Sequence, residues 1–243
     1  MKKLFWGKTF IWYNRCMASS DFLRHNTNQH AIKNALSKYM DKDIIRATDI
    51  TMAALAKKYP NLEFTWIKSI KLTEVITILS MQFPEYANQF GVPQNSSFIS
   101  PDGGFLFAKN NKGERRIVLV SEVKRQGTND ARLKEGLEIQ AKGNAIERLG
   151  KNLIGVRAMF KNEGVIPFVV FGHGWDFRSG STILDRVLTM NDFFPLNKEF
   201  VSKDYLPFEP VTMCFRYEPW SIEEMAKILT KTAISAIENK FVV

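Results

Sequence analysis

Two carboxylates and one lysine stand at regular distances around a predicted hairpin. Asp102 lies in the stretch SPDGGF, ten residues before Lys112 at the centre of the predicted turn, and Glu122 lies ten residues after Lys112. In an antiparallel pair of strands those two positions return side by side at the open end. Glu122 and Lys124 share one strand face because side chains alternate, whereas Val123 points away into the core. The spacing therefore predicts two carboxylates and one ammonium in one place.

This set of side chains is suited to the hydrolysis of a phosphodiester. Hard cations such as Mg²⁺ take oxygen ligands and keep several waters, so two carboxylates and phosphate oxygens suffice for a site. Lys124 could orient the attacking water, act as its base if burial lowers its pKa, or donate a hydrogen bond to the phosphate. The same residues are also compatible with a turn-forming Asp102 beside a salt-bridged strand end, because Pro-Asp-Gly is a common turn sequence.

A second group of polar residues begins a predicted helix. Gly143 to Arg148 read GNAIER, in which Asn144 and Glu147 have the spacing of a capping box. Asn144, Glu147 and Arg148 share one helix face. An asparagine amide suits an adenine edge and a guanidinium suits purines or phosphate, although an ordinary cap with an exposed ion pair would place the same residues there.

The elements that must position these residues alternate between helix and strand. Apolar spacing predicts helices over Asp41–Lys58, Thr73–Gln82, Ile146–Phe160 and Ser221–Lys240, the last with Ser221 and Glu224 as a capping box, and strands over Phe105–Phe107, Ile117–Val123, Val165–Phe171 and Thr212–Arg216. Alternation of this kind predicts an α/β fold with a central mixed β-sheet flanked by helices.

Length and composition limit the class of protein. The 243 residues are 45% hydrophobic, which favours a single domain over residues 1–243, or one sizeable domain with a small appendage. A net charge of +9 favours a polyanionic partner such as nucleic acid or an anionic membrane. No apolar run approaches the ~18 residues of a membrane span, and Lys8 interrupts the apolar start, so neither a membrane segment nor a secretory signal is expected. Met17 is an alternative start.

The cysteines and histidines exclude other classes. Cys16 and Cys214 are far apart with no CxxC spacing, which implies no disulfide framework or zinc site and fits the cytoplasm. Only three histidines are present and they show no metal-ligand pattern, so an HNH-type nuclease is disfavoured. His173, in GHGW, is expected to mark a turn after the buried strand.

The order of these motifs resembles the EcoRI-type restriction endonucleases of the PD-(D/E)xK nuclease superfamily. The resemblance runs from Tyr59 to Val201 in one consistent order, and the first 58 residues show little of it. The segments that carry it are YPNLEF (Tyr59–Phe64), SIKLTE (Ser69–Glu74), NSSFISPDGG (Asn95–Gly104), IVLVSEVKRQG (Ile117–Gly127), GNAIER with the following Lys151 and Asn152, and STILDRVLT (Ser181–Thr189).

The resemblance implies a restriction-endonuclease-like core and a role for each matching residue. Asp102 and Glu122 would bind Mg²⁺, and Lys124 would be the catalytic lysine. Within GNAIER, Asn144, Ala145 and Arg148 match positions that read the inner AATT bases, Glu147 would position Arg148, and Gly143 is also implied in DNA binding. Gln126 matches a contact to a thymine methyl. Arg186 matches a later segment that contacts DNA.

The implied activity is that of a type II site-specific deoxyribonuclease. Such enzymes are homodimers that cut double-stranded DNA at a palindrome and leave 5′-phosphate ends with a four-base 5′ overhang. A cognate methyltransferase is implied because an unprotected host genome would be cut. Two alternatives stay open: a structure-specific or repair nuclease of the same superfamily, which would not need GNAIER, and a DNA-binding protein without activity, against which the intact Asp, Glu and Lys argue.

Two departures from the family pattern limit the transfer. Ser100 stands where the family has a lysine before Pro-Asp, so a phosphate contact is expected to be lost or supplied elsewhere. Gln140-Ala141-Lys142 replaces the Met-Ala-Ala that handles the outer base pair. Lys142 has the donors to reach guanine, which suggests a site longer than AATT. A Lys142 that contacts phosphate alone would leave the bare four-base site.

Overall fold

The computed structural model describes residues 40–126, 135–136, 144–161, 163, 165–200, 205, 207–208 and 210–241. The chain divides into two compact units, residues 1–40 and residues 41–243, and the account below concerns the second. The alternative start at Met17 and the cysteine at position 16 lie outside the described residues. The expectation of one domain over the whole chain stays a prediction.

Five strands form the central sheet. They are β1 (Glu63–Ile67), β4 (Phe105–Lys109), β5 (Arg115–Arg125), β6 (Phe168–His173) and β7 (Thr212–Arg216), and they are hydrogen-bonded in the order β1-β4-β5-β6-β7. The pairs β1/β4 and β4/β5 are antiparallel, and the pairs β5/β6 and β6/β7 are parallel. A separate pair consists of β2 (Ile70–Lys71) and β3 (Phe98–Ile99). The predicted mixed sheet is therefore confirmed.

Helices cover both faces of this sheet. They are α1 (residues 40–58), α2 (Leu72–Gln82), α3 (Asn144–Ala158), α4 (Thr182–Met190) and α5 (Ile222–Lys240), with short 3-10 turns at Pro84–Tyr86 and Trp175–Phe177. Apolar residues of α2, α3 and α4 share one core with Phe168 and Val170 of β6. On the opposite face Phe171 packs against Trp220, just before α5. None of the helices in the described residues is long and apolar enough to cross a membrane.

Most predicted elements are present, with some differences at their ends. The four predicted helices are found, and Ser221 and Glu224 form the expected capping box at the start of α5. The strand predicted from Val165 begins at Phe168 instead and includes His173, so His173 ends a strand and does not mark a turn. Strand β1, the small β2/β3 pair and helix α4 were not predicted from apolar spacing.

The β4/β5 hairpin carries one irregularity. Phe107 faces Ile117, but Leu106 faces Leu119, so one residue of β5 is extra and the register shifts by one at this bulge. The pairing ends with Phe105 opposite Val120, and Asp102 lies in the turn that precedes β4. Counting outward from Lys112 did not predict this bulge.

The turn that carries Asp102 is held by close backbone packing. The Gly103 N–H donates to the Ser121 carbonyl at 2.9 Å, and the Trp66 indole N–H donates to the Gly103 carbonyl at 2.8 Å. A Cβ at position 103 would lie 2.1 Å from Ser121 Oγ and 2.9 Å from Ile44 Cγ1. At position 104, where φ is +73°, it would lie 2.7 Å from the Ile67 carbonyl oxygen. Both glycines are therefore required for the turn to lie against the strands and α1.

Replacement of Gly104 tests this packing. Gly104→Ala is expected to lower the free energy of unfolding by about 3 to 4 kcal/mol, because backbone strain and a clash with the Ile67 carbonyl add together. Gly113→Ala is the matched control, since Gly113 has a φ of +84° but nothing within 4 Å of the added Cβ, and it should cost only about 1 to 2 kcal/mol. Urea unfolding measures both changes, and equal losses would show that the turn is not tightly packed.

Candidate active site

Lys124 lies between the two predicted carboxylates. Its Nζ is 2.6 Å from Asp102 Oδ2 and 2.6 Å from Glu122 Oε1. The Lys124 side chain is 14% exposed, Asp102 is 25% exposed and Glu122 is fully buried. The hairpin, the bulge and the glycine turn thus bring together the three side chains whose spacing predicted a site.

Glu122 is a buried carboxylate with two partners. One partner is Lys124. The other is the Asn152 amide, which donates to Glu122 Oε1 at 3.1 Å and to Glu122 Oε2 at 2.9 Å. Burial raises the pKa of the Glu122 carboxyl above its ordinary value, and the nearby Asp102 charge raises it further, although Lys124 acts in the opposite direction. A cation bound at this carboxylate would offset part of the cost of burying its charge.

Lys124 is a cation in this arrangement. Burial alone would lower its pKa, but the charges of Glu122 and then Asp102 outweigh burial, so the pKa of Lys124 lies above its ordinary range. Of the three roles open to this lysine, that of general base requires a lowered pKa and is therefore not favoured. The geometry favours a charged hydrogen-bond donor to water or to a phosphate oxygen.

The donor set fits a hard divalent ion. Asp102 and Glu122 present carboxylate oxygens around one shared cation, the Lys124 ammonium. No group of three or more His, Cys, Asp or Glu side chains that could hold a metal occurs in the part of the chain that the structure describes. A metal here would have two protein carboxylates and would complete its coordination with water and phosphate oxygens, as Mg²⁺ commonly does.

Asp41 is a nearby carboxyl group that the sequence pattern did not single out. It lies near the start of α1, and burial followed by the charge of Asp102 raises its pKa, while Lys124 and Lys68 act to lower it. Because Asp102 and Lys124 act on it, Asp41 contributes to the electrostatics of the site. Its position 61 residues before Asp102 left no signal in the spacing.

The predicted DNA-contacting residues occupy different environments. Glu147 and Arg148 are exposed on the first turns of α3, and Arg186 is exposed on α4. Gln126 is only 4% exposed, and its backbone bonds to His173 and Asp176, which does not favour a contact with DNA in this conformation. Lys142, Gly143 and the side chains of Asn144 and Ala145 lie outside the described residues.

Asn152 is the residue of this site that motif reasoning missed. It belongs to the stretch that follows GNAIER, and it lies eight residues after Asn144 and four after Arg148. These spacings place all three positions on one side of α3. That spacing was the available signal, but nothing in the sequence showed that this helix would lie beside Glu122.

A hydrolase with a carboxylate and lysine site on the central strand of a mixed sheet is the class of protein that this fold and site define. Residues 26–241 match the protein-family model described as "Restriction endonuclease EcoRI". The chain therefore belongs to the EcoRI family of restriction endonucleases.

Two relatives are similar along much of the chain. The type II restriction enzyme EcoRI of Escherichia coli is 31% identical over an alignment of 175 positions that covers 66% of this chain and 62% of that enzyme. The type II restriction enzyme RsrI of Cereibacter sphaeroides is 26% identical over an alignment of 243 positions that covers 85% of this chain and 87% of that enzyme. The first match thus covers less than two thirds of the EcoRI enzyme.

His173 is a buried titratable group at the end of β6. It is 4% exposed, it pairs in register with Arg125 of β5 and Arg216 of β7, and its Nδ1 has no hydrogen-bond partner among the described residues. Burial, assisted by the charges of Arg125 and Arg216, lowers the pKa of His173 to about 4. The folded protein therefore keeps this imidazole neutral.

The low pKa of His173 predicts a loss of stability in mild acid. Below pH 6.5 the unfolded chain takes up a proton that the folded chain excludes until about pH 4, so the stability contribution is complete above pH 6.5 and is lost as the pH falls to about 4. The expected loss is about 2 to 3 kcal/mol. Urea unfolding of the wild type and of His173→Gln at pH 7, 5.5 and 4 measures it. Parallel pH profiles of the two proteins would contradict the assignment.

Proposed function

We propose that this protein is a type II site-specific deoxyribonuclease. It hydrolyses double-stranded DNA in a Mg²⁺-dependent reaction at a palindrome that contains AATT, and it leaves 5′-phosphate ends with a 5′ overhang. The observation that carries the proposal is the pairing of Lys124 with both Asp102 and Glu122 in a chain of the EcoRI family.

Each residue of the carboxylate and lysine site receives a role. Asp102 and Glu122 would hold the ion, which when bound lowers the pKa of a water molecule and stabilises charge on the phosphate. Lys124, as a charged donor, orients the attacking water or binds a phosphate oxygen. Water adds to phosphorus, the bond to the 3′ oxygen breaks, and the products are a 5′-phosphate and a 3′-hydroxyl.

The start of α3 is proposed to read the inner bases. Arg148 is exposed on the first turns of the helix and its guanidinium suits a purine edge or a phosphate, while Glu147 would hold it in place. Asn144 and Ala145 are assigned to the AATT bases through the family resemblance, as is the backbone at Gly143. Residues Gly143 to Arg148 thus form the proposed reading surface, of which Glu147 and Arg148 are the exposed side chains that the structure describes.

Three further positions are proposed to extend the contact with DNA. Arg186 is exposed on α4 and is assigned to the DNA backbone. Lys142 is assigned to an outer base pair, in a site longer than four bases. Gln126 would approach a thymine methyl only if its buried side chain became exposed on binding. The net charge of +9 supports a polyanionic partner.

The proposed assembly is a homodimer. A palindrome presents the same bases to two copies related by a two-fold axis, so each subunit cuts one strand. The same activity requires a cognate methyltransferase to protect host DNA, and it places the protein in the cytoplasm with that DNA.

Cleavage of a plasmid tests the proposed function. The purified protein with plasmid DNA and Mg²⁺ should give discrete fragments whose sequenced ends share AATT, because base reading and cutting belong to one chain. The bases that flank AATT in the same ends give the full recognition site. Random degradation would instead indicate a structure-specific or repair nuclease, and absence of cutting beside specific binding would indicate a DNA-binding protein without activity.

Glu122→Ala tests the role of the buried carboxylate. The variant should lose roughly 10³-fold or more of the cleavage rate, as expected for removal of a catalytic group, while sequence-specific binding measured by gel shift in Ca²⁺ persists. Glu85→Ala, which removes an exposed carboxylate from the 3-10 turn at Pro84–Tyr86, is the matched control and should cut like the wild type. Loss of both cutting and binding in Glu122→Ala would assign that residue to the fold and not to the reaction.

A further inference from the structure

The carboxylate of Glu122 is held by a helix that also carries the proposed reading surface. Glu122 is fully buried, so its orientation depends on protein partners and not on bulk water. One partner, Lys124, belongs to the same strand and is shared with Asp102. The other partner is Asn152 of α3, whose amide donates to both carboxylate oxygens.

The chemistry of an amide suits a positioning role. A carboxylate that accepts from one side-chain amide at both oxygens has its plane fixed relative to that amide. The amide is neutral, so it orients Glu122 without cancelling the negative charge that a metal ion requires. A second lysine or an arginine at this position would satisfy the same oxygens but would compete with the ion.

Helix α3 is seated firmly against the rest of the protein. Leu149, Leu153 and Val156 are at most 2% exposed. A Cβ added at Gly155 would lie 2.4 Å from Ile99 Cδ1, so the helix backbone lies close against β3 at this level. The helix start and Asn152 are therefore held in a fixed relation to each other by one packed element.

The proposed reading surface and Asn152 lie along the same side of α3. Asn144, Arg148 and Asn152 follow one another at intervals of four residues, which aligns them along one side of a helix. At ~1.5 Å per residue, Asn152 lies roughly 12 Å along the axis from the first residue of the helix. One short helix therefore reaches from the proposed base-reading segment to the carboxylate of Glu122.

We propose that Asn152 is a positioning residue that fixes the Glu122 carboxylate for metal binding and links its orientation to the seating of α3 on DNA. This rests on the proposed function, because it gives α3 a DNA-facing end and Glu122 a metal. It adds to that function a physical connection between recognition and cleavage.

Substitution of Asn152 tests the role through rate and binding together. Asn152→Ala should reduce the single-turnover cleavage rate by about 10- to 100-fold, the usual effect of removing a residue that orients a metal ligand. The dissociation constant for cognate DNA in Ca²⁺ should change by less than about threefold, because the amide lies on Glu122 and not on DNA. Asn152→Asp should lose more activity because it places a like charge beside Glu122, and Asn152→Gln should recover part of the loss.

A matched control and a second readout complete the experiment. Asn239→Ala makes the same chemical change on α5, where the Asn239 amide donates to the Ser235 carbonyl, and it should leave the cleavage rate within about twofold of the wild type. The second readout is the rise in melting temperature that Mg²⁺ produces without DNA. That rise should be smaller in Asn152→Ala than in both the wild type and Asn239→Ala.

The outcomes separate this inference from the proposed function. A wild type that cuts, with Asn152→Ala cutting within twofold of it, overturns the positioning role and leaves the nuclease intact. A wild type that does not cut overturns the proposed function, and the Mg²⁺-dependent melting shift then decides the role of Asn152 by itself. A loss confined to DNA affinity or to stability without Mg²⁺ also overturns the positioning role.

Discussion

The contact of one ammonium with two carboxylates is the constraint on which the rest of the structure depends. Glu122 is completely buried, and an uncompensated charge at that depth would be strongly destabilising. Lys124 compensates it and, at the same 2.6 Å distance, binds Asp102. The two carboxylates would repel each other without this cation between them. The ammonium therefore allows two carboxylates to lie close together within the fold.

The turn and strand around these three side chains hold them close together in a fixed geometry. The turn at Asp102 lies so close to Ser121 and Ile44 that a single added Cβ at Gly103 would clash with both. The side chains thus stand on a packed turn and a central strand and not on a free loop. Groups placed on rigid elements keep the precise geometry that catalysis requires.

The sequence predicted the meeting of Asp102, Glu122 and Lys124 because hairpin pairing and strand alternation are regular. The bulge between Leu106 and Phe107 escaped prediction, since the extra residue lies in an unbroken apolar run and changes no periodicity. Strands β2 and β3 have two residues each, which is too short for any period to show. The charge state of Lys124 was equally out of reach, because it depends on the balance between burial and two carboxylates whose distances only the fold supplies.

Asn152 shows why a site is larger than its motif. A polar residue four positions after Arg148 is ordinary on a helix surface, and its contact with Glu122 spans 30 residues of sequence. The contact arises because β5, α3 and β6 form a parallel crossover, in which the helix must pack back across the strand that precedes it. That topology places the helix that begins with GNAIER against the strand that carries Glu122. In the proposed nuclease, catalysis must depend on correct binding, and this crossover unit would connect the proposed base-reading segment to Glu122 through a single helix.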